Sequence, residues 1–562
     1  MDLQRFYAGA CFDAYRYLGG HMEAEGGVFR TFAPSAAGVS LLAEWEDWQE
    51  RPMERVLDGN FWEARSPGAV PGQRYKYRIW KRDGSFLDHC DPYGFWMEKR
   101  PHTASVLCGP EQDYIFSDQA WMAARTTCQD RPLHIYEVHA GSWKKPGPGP
   151  EDWYDWDQLG ELLLPYVQEL GCNYIEFLPL SEHPSDASWG YQNTGFFSPT
   201  SRYGSPRQLK AFVDRCHQEG VGVLLDFVPV HFAVDDYALW QYDGTALYEY
   251  PHSDVGVSEW GSCNFMHSRG EVRSFLQSAA QYWLEEFHFD GLRMDAVSRL
   301  IYWQGDPARG ENQNGLAFDY KWDIGWMHDT LTYFQSPPHQ RPGKYHQLTF
   351  SMDYFYNERY LLPLSHDEGV HGKATIAQKM YGEYEGKFPQ ARALYLYMMA
   401  HPGKKLNFMG FELAQLREWD ERRQQDWELL RYPIHDGFAH FIQTLNHLYL
   451  ESPALWQQDY SREGFRWLAC EPGPACLYAW ERRGGGQRLV CLVCLGDAPA
   501  AGTLQIPGAK GLTCLLSTEE ARFGGKEPAL PQEQLPQAGA FPVALAPNSG
   551  QLWLVEDGSC SQ

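Results

Sequence analysis

Three aspartates in this chain of 562 residues each close an apolar run, and each has a cation or an imidazole nearby. Asp226 ends "LLD", with His231 five residues on in "DFVPVH"; Asp295 ends "GLRMD", with Arg293 two residues before it; Asp367 follows His366 in "LPLSHDE". Strand residues two apart point the same way, so Arg293 and Asp295 share a face. One aspartate at a strand end is most often a helix N-cap or a solvated loop residue. Three with such neighbours suit another task. Breaking a glycosidic bond passes through an oxocarbenium-like state that negative groups around the anomeric carbon stabilise. In that chemistry Asp295 is the candidate nucleophile, kept ionised by Arg293. Asp367 is placed to bond sugar hydroxyls more strongly in the transition state, with His366 and His231 gripping others. No metal or cofactor is needed.

Composition narrows the ligand. A formal charge of −25 argues against nucleic acid or an anionic membrane surface, whose binding requires clustered Lys and Arg. Aromatics reach 15%, with 22 Trp and 33 Tyr, enough for a large core and for flat surfaces on which sugar rings stack. Thirteen scattered cysteines form no framework, and the one close pair, Cys491 and Cys494, lies three apart on an alternating run and so faces opposite ways. The N-terminus has no basic start followed by an apolar stretch, and no run approaches the roughly 18 apolar residues of a membrane span. A cytoplasmic protein is expected.

Residues that converge must be carried by strands of one sheet. Apolar runs at 133–140, 172–180, 221–231, up to Asp295, 315–322, 359–368 and 404–412 alternate with amphipathic helical periods, the rhythm of a parallel sheet under helical cover. One predicted helix stripes Leu159, Leu162, Leu163, Tyr166, Val167 and Leu170; a second has Ser205 as N-cap, Pro206 in its first turn and Gly220 as its stop; a third stripes Val272, Phe275, Leu276, Ala279, Trp283 and Leu284. Length and count point to a (β/α)8 barrel of the TIM type over residues 131–454, whose active site lies at the C-terminal strand ends. Residues 1–108 read as an N-terminal β-sandwich, 109–130 as a linker and 455–562 as a C-terminal β-sandwich, with loop around 524–540.

The stretches "DFVPVH", "GLRMDAV" and "LPLSHDE" resemble three signature regions of the α-amylase superfamily of retaining glycoside enzymes. "YEVHAGSW", "SWGYQNTGFFSPTSRYG", "FDYKWDIGWMHDTL", "SHDEGVHGK" and "HPGKKLNFMGFELAQLREW" are similar, within it, to the 1,4-α-glucan branching enzymes, and "FRTFAPSAAGVSLLAEWEDW" to that family's carbohydrate-binding sandwich. The resemblance implies an α-glucan substrate of the glycogen or amylose kind. It makes Asp295 the nucleophile that takes a glucan chain covalently, Asp367 the transition-state stabiliser and Arg293 the partner that orients Asp295. Tyr191 would stack on the sugar at the cleavage point, with Trp189 and Gln192 of the same "WGYQ" run binding substrate. Asp226, His231 and His366 would hydrogen-bond that sugar or brace Arg293. The severed chain would pass to the 6-hydroxyl of another glucan.

One part of the pattern is missing. A retaining mechanism needs a second carboxyl group about 5–5.5 Å from the nucleophile. In the family this acid is a Glu ending the fifth of eight strands. Here eighteen residues, Ser298 to Gly315, separate the fourth strand from a segment resembling the stretch after the fifth, whereas a βαβ unit takes roughly 30. The barrel is therefore expected to lack a helix and a strand, and Asp306 and Glu311 read as loop residues. Three readings stay open: a branching enzyme whose recorded sequence has lost a segment, a glucan-binding pseudoenzyme, or a related α-glucan hydrolase.

Overall fold

The computed structural model describes residues 1–297, 317–531, 533–537 and 539–557. At its centre are seven parallel strands: β1 (His134–Val138), β2 (Tyr174–Phe177), β3 (Gly222–Phe227), β4 (Gly291–Met294), β5 (Lys321–Trp322), β6 (Tyr360–Leu364) and β7 (Lys404–Phe408). They stand in the order β4-β3-β2-β1-β7-β6-β5. Pairing of β1 with both β2 and β7 makes this the order of a (β/α)8 barrel with one position, between β4 and β5, unfilled among the described residues. These are the seven strands that alternation predicts, β5 being shorter than its run. The stretch from Ser298 to Gly315, with Asp306 and Glu311, lies outside the described residues.

Helical cover follows from local signals. Helix α1 (Trp156–Leu170) opens on a capping box between Asp155 and Gln158 and closes on left-handed Gly171. Helix α2 (Pro206–Gln218) begins at Ser205, with Gly220 left-handed just beyond it, as the sequence predicts. In α1 the buried stripe is Trp156, Leu159, Leu163, Leu164, Val167 and Leu170. Leu162, expected on it, is 37% exposed. At 100° per residue it falls about 120° from the centre of that stripe. Helix α3 (Gly270–Glu286) buries Val272, Phe275, Leu276, Ala279 and Trp283 as predicted, with Leu284 half-buried. Beyond β5 come α4 (Ile324–Gln335), α5 (Tyr384–Ala400) and α6 (Pro433–Glu451).

Antiparallel sheets flank the barrel. On the N-terminal side are a four-stranded sheet built from 19–32 and 54–66 and a second built from 38–52, 74–89 and 105–106. The leading segment docks on α3, where the Ser274 and Ser278 hydroxyls donate to the carbonyls of Phe6 and Cys11. On the C-terminal side a five-stranded sheet packs against the pair Ala500–Leu504 and Phe541–Leu545. Three arginines that are almost wholly buried tie it to the barrel: Arg341 donates to the Leu495 carbonyl, Arg392 to that of Thr518 and Arg482 to that of Ala400.

Between the N-terminal sheets and β1 the chain straps the N-terminal end of the barrel. Asp118 and Asp290 hold His217 of α2 from both ring nitrogens, at 2.7 and 3.0 Å. His288 joins Asp118, and Trp121 stacks on His217 while donating to Asp290 at 2.8 Å. Among the described residues no helix is long and apolar enough to cross a membrane.

Candidate active site

Two layers fill the inside of the sheet. Ile135, Tyr174, Leu224, Leu361 and Leu406 pack together at the lower level, with Trp322 against them. Gly222 makes room for this floor, since a Cβ there would lie 2.1 Å from the Tyr174 ring. Two residues further along their strands, on the same faces, come Glu137, Glu176 and Asp226, and Arg293 pairs with Asp226 in register. A polar layer thus sits on an apolar plug, at the end where barrel enzymes keep their chemistry.

Contacts run unbroken through this layer. Arg293 Nη1 donates to Asp295 Oδ1 at 2.9 Å and to Asp226 Oδ2 at 2.6 Å. The Tyr191 hydroxyl donates to the same Asp226 oxygen and lies 3.3 Å from His366 Nε2. That nitrogen stands 3.6 Å from Asp367 Oδ1. The other nitrogen, Nδ1, meets Glu137 Oε1 at 2.6 Å, and the His366 backbone N–H donates to Glu137 Oε2 at 2.8 Å. The three aspartates named from the sequence therefore belong to one cluster, and Arg293, Tyr191 and His366 are its links. Trp322 backs the cluster, its ring 4.5 Å from the Arg293 guanidinium.

Charge is tuned by burial and by these partners. Burial pushes the Asp226 carboxyl up to about 7 against the pull of Arg293, and drives the Tyr191 phenol well above its usual range. For His366 burial opposes the charge, yet the Glu137 carboxylate outweighs it and lifts the imidazole to about 9. Asp367 is lowered because the charge on His366, with help from Arg293, overcomes its burial. Burial lowers His231. At neutral pH His366 is an imidazolium, so two cations hold the carboxylates in place.

The remaining predicted residues flank this cluster. Left-handed Gly190, whose Cβ would come 2.4 Å from the Pro179 carbonyl, lets the "WGYQ" turn deliver Tyr191 inward. Tyr191 lies over His366 with 22° between the rings. Trp189 donates to Glu421 at 3.3 Å and stacks on His371. Gln192 donates to the Trp260 carbonyl at 3.1 Å, which fixes the Val257–Cys263 hairpin beside His231. His231 is buried, its ring 5.2 Å from Trp260. Its Nδ1 and Asp226 Oδ1 are buried without hydrogen-bond partners among the described residues. His366 braces Tyr191 and Glu137, while the brace on Arg293 is Asp226.

Sequence reasoning missed Glu137, Glu176 and Trp322. Each carboxylate interrupts an otherwise apolar strand, "HIYEV" and "NYIEF", two residues beyond an inward apolar side chain. That is the readable signal: a charge on the inward face of a buried strand needs a partner there. Among the described residues no group of three or more His, Cys, Asp or Glu is arranged to hold a metal ion.

Comparison with known proteins places this geometry. Residues 17–94 match the carbohydrate-binding module 48 family (isoamylase N-terminal domain), and residues 155–246 match the α-amylase catalytic domain. Of solved structures, a pullulanase from Anoxybacillus is similar with a TM-score of 0.74 at 16% identity, over 98% of this chain and 89% of its own. A Salmonella typhimurium protein titled as an α-amylase gives 0.72 at 17%, over 96% and 100%. These two share the fold. The 1,4-α-glucan branching enzyme GlgB of Bacillus caldolyticus is 38% identical over 576 residues, 93% of this chain and 86% of that protein. The Fusobacterium nucleatum enzyme of the same name is 40% identical over 512 residues, covering 84% and 83%. The first alignment is longer than the 562-residue chain yet uses 93% of it, so the relative carries residues with no counterpart here. Identity of this order, sustained from the N-terminal sheets through the barrel, means that this chain belongs to the family of 1,4-α-glucan branching enzymes.

Proposed function

We propose that the chain binds an α-1,4-glucan across the polar layer and is built to transfer a glucan segment to a 6-hydroxyl, making an α-1,6 branch. Asp295 attacks the anomeric carbon as the glycosidic oxygen leaves, and carries the segment as a covalent ester; Arg293 holds the Asp295 carboxylate in position. Asp367, Asp226 and His231 take the hydroxyls of the sugar at the cleavage point, Tyr191 and Trp189 give it flat surfaces, and Gln192 holds the Trp260 hairpin at the rim. The observation that carries this reading is the continuous path of contacts from Asp295 through Arg293, Asp226, Tyr191 and His366 to Asp367. All twelve described cysteines are free thiols, which suits work in the reducing cytoplasm.

A second reading, glucan binding with little turnover, is favoured by the spacing of the sequence: eighteen residues, Ser298 to Gly315, stand where a helix and the strand ending in the family's acid would take roughly 30. Without a group to protonate the leaving oxygen, transfer from amylose drops by about 10²–10⁴. Two donors separate the readings. Amylose is followed by loss of iodine colour and by new branch ends. α-Maltosyl fluoride, whose fluoride leaves without a proton as the Asp295 oxygen bonds to C1, is followed by fluoride release. Branching with both donors supports the full reaction. Fluoride release without amylose branching supports a site that keeps its nucleophile and lacks its acid. Neither product, with maltoheptaose still bound, supports the binding protein, and reducing ends without branches support a hydrolase.

A further inference from the structure

Glu176 has no part in that scheme, yet it lies at the heart of the polar layer. Strand β2 brings it in register with Glu137 of β1 and Leu224 of β3, two residues short of Asp226. Its residue is 3% exposed, and Oε1 is buried with no hydrogen-bond partner among the described residues. The charged groups facing it are Glu137 on β1, Asp226 on β3, Arg293 on β4 and His366 after β6. Both cations are already committed, Arg293 to Asp226 and Asp295, and His366 to Glu137 at 2.6 Å. A further full negative charge here would lie beside two carboxylates with no cation of its own, a costly state in a buried site.

We propose that Glu176 is a positioning residue of the transfer site: a neutral carboxylic acid whose O–H is given to the Glu137 and Asp226 layer, leaving Glu137 to hold His366 as the imidazolium and Asp226 to hold Arg293. Burial, with the charge of Glu137 beside it, also pushes this carboxyl well above the ordinary range. Its depth keeps it from a glucan, so it does not serve as the acid of the transfer. The purpose assigned to the held groups rests on the transfer reading; the state of Glu176 is tested without any sugar.

The imidazole of His366 reports on its neighbours' charge. In 15N-histidine-labelled chain its signal, assigned by its loss in His366→Gln, is titrated in wild type, Glu176→Gln and Glu176→Met. Both substitutions are neutral, so the midpoint is expected to stay put or rise. A fall of about one unit or more, a tenfold loss of proton affinity, means that a negative charge was removed and overturns the proposal. Either variant alone answers this if the other does not fold. Gln retains a donor and Met does not. Maltoheptaose affinity is therefore expected to stay within about twofold in the Gln variant and to weaken about fivefold or more in the Met variant. Equal affinity in Met and wild type would also overturn it. A wild-type chain that binds no maltoheptaose defeats the transfer reading instead, and leaves the titration to decide Glu176.

Discussion

The two ends of the barrel each hold a histidine between carboxylates, and only one end looks like a place for a ligand. At the N-terminal end His217 has both ring nitrogens engaged by Asp118 and Asp290, and the carboxylate oxygens are met by His288, Trp121 and the Val223 N–H. Every side-chain polar atom of His217, Asp118 and Asp290 thus has a partner. At the C-terminal end His366 is held as firmly by Glu137, but around it Asp226 Oδ1 and His231 Nδ1 remain unmatched among the described residues. Both imidazoles are raised by their carboxylates against the effect of burial. Perturbed titration therefore does not separate a site from a strut. What differs between these two ends is unspent hydrogen-bonding capacity, which a fold leaves buried at a cost that a ligand can relieve.

That contrast is open to attack from several sides. The largest effect is expected at Asp295: Asp295→Asn should cut fluoride release from α-maltosyl fluoride by about a thousandfold or more, measured with a fluoride electrode. Retained release would remove Asp295 from the chemistry. Next comes a crossed pair of variants. His217→Gln should cost about 3 kcal/mol in urea unfolding, since it takes hydrogen-bond partners from two buried carboxylates, and should leave maltoheptaose affinity unchanged. His366→Gln should weaken that affinity about tenfold or more in calorimetric titration. If His217→Gln weakens glucan binding as much as His366→Gln does, the two ends do not divide into strut and site.

Alkaline pH offers a gentler test. The folded imidazole of His366 lies near 9, above its free value of 6.5. Its contribution to stability is present in full below about pH 6.5 and is lost as the pH climbs through about 9. Urea midpoints should fall across that window, and the fall should be shallower in His366→Gln. An identical slope in the variant would show that His366 is not charged in the folded chain. The smallest effect belongs to Tyr191→Phe, which takes one donor from Asp226 while Arg293 remains; a loss of about 1 kcal/mol in urea unfolding is expected. A loss several times larger would mean that the phenol, not the guanidinium, holds the layer together.

Much of this was legible in the residues. Strand alternation exposes all seven barrel strands, and a polar residue at the end of an apolar run exposes Asp226, Asp295 and Asp367, because the barrel collects strand ends at one mouth. Arg293 follows from period two alone. Glu137 and Glu176 were hidden, since nothing local says that a mid-strand carboxylate on one strand will face another on the next; that depends on register. The partner of the Gln192 amide was hidden for the same reason, since it lies on a hairpin nearly seventy residues away in the chain. Leu162 went astray through phase: a helix with leucines at 159, 162, 163 and 164 fits more than one stripe, and the sheet beneath chose between them.

The guanidinium groups of Arg341, Arg392 and Arg482 have a consequence for how the molecule comes apart. Each lies deep at a seam and donates chiefly to main-chain carbonyls, some of them across that seam. Peeling the terminal sheet away would strip Arg341 and Arg392 on the wall, and Arg482 on the sheet, of carbonyl partners across the seam. Melting should thus proceed as a joint collapse of wall and sheet, with neither surviving the other.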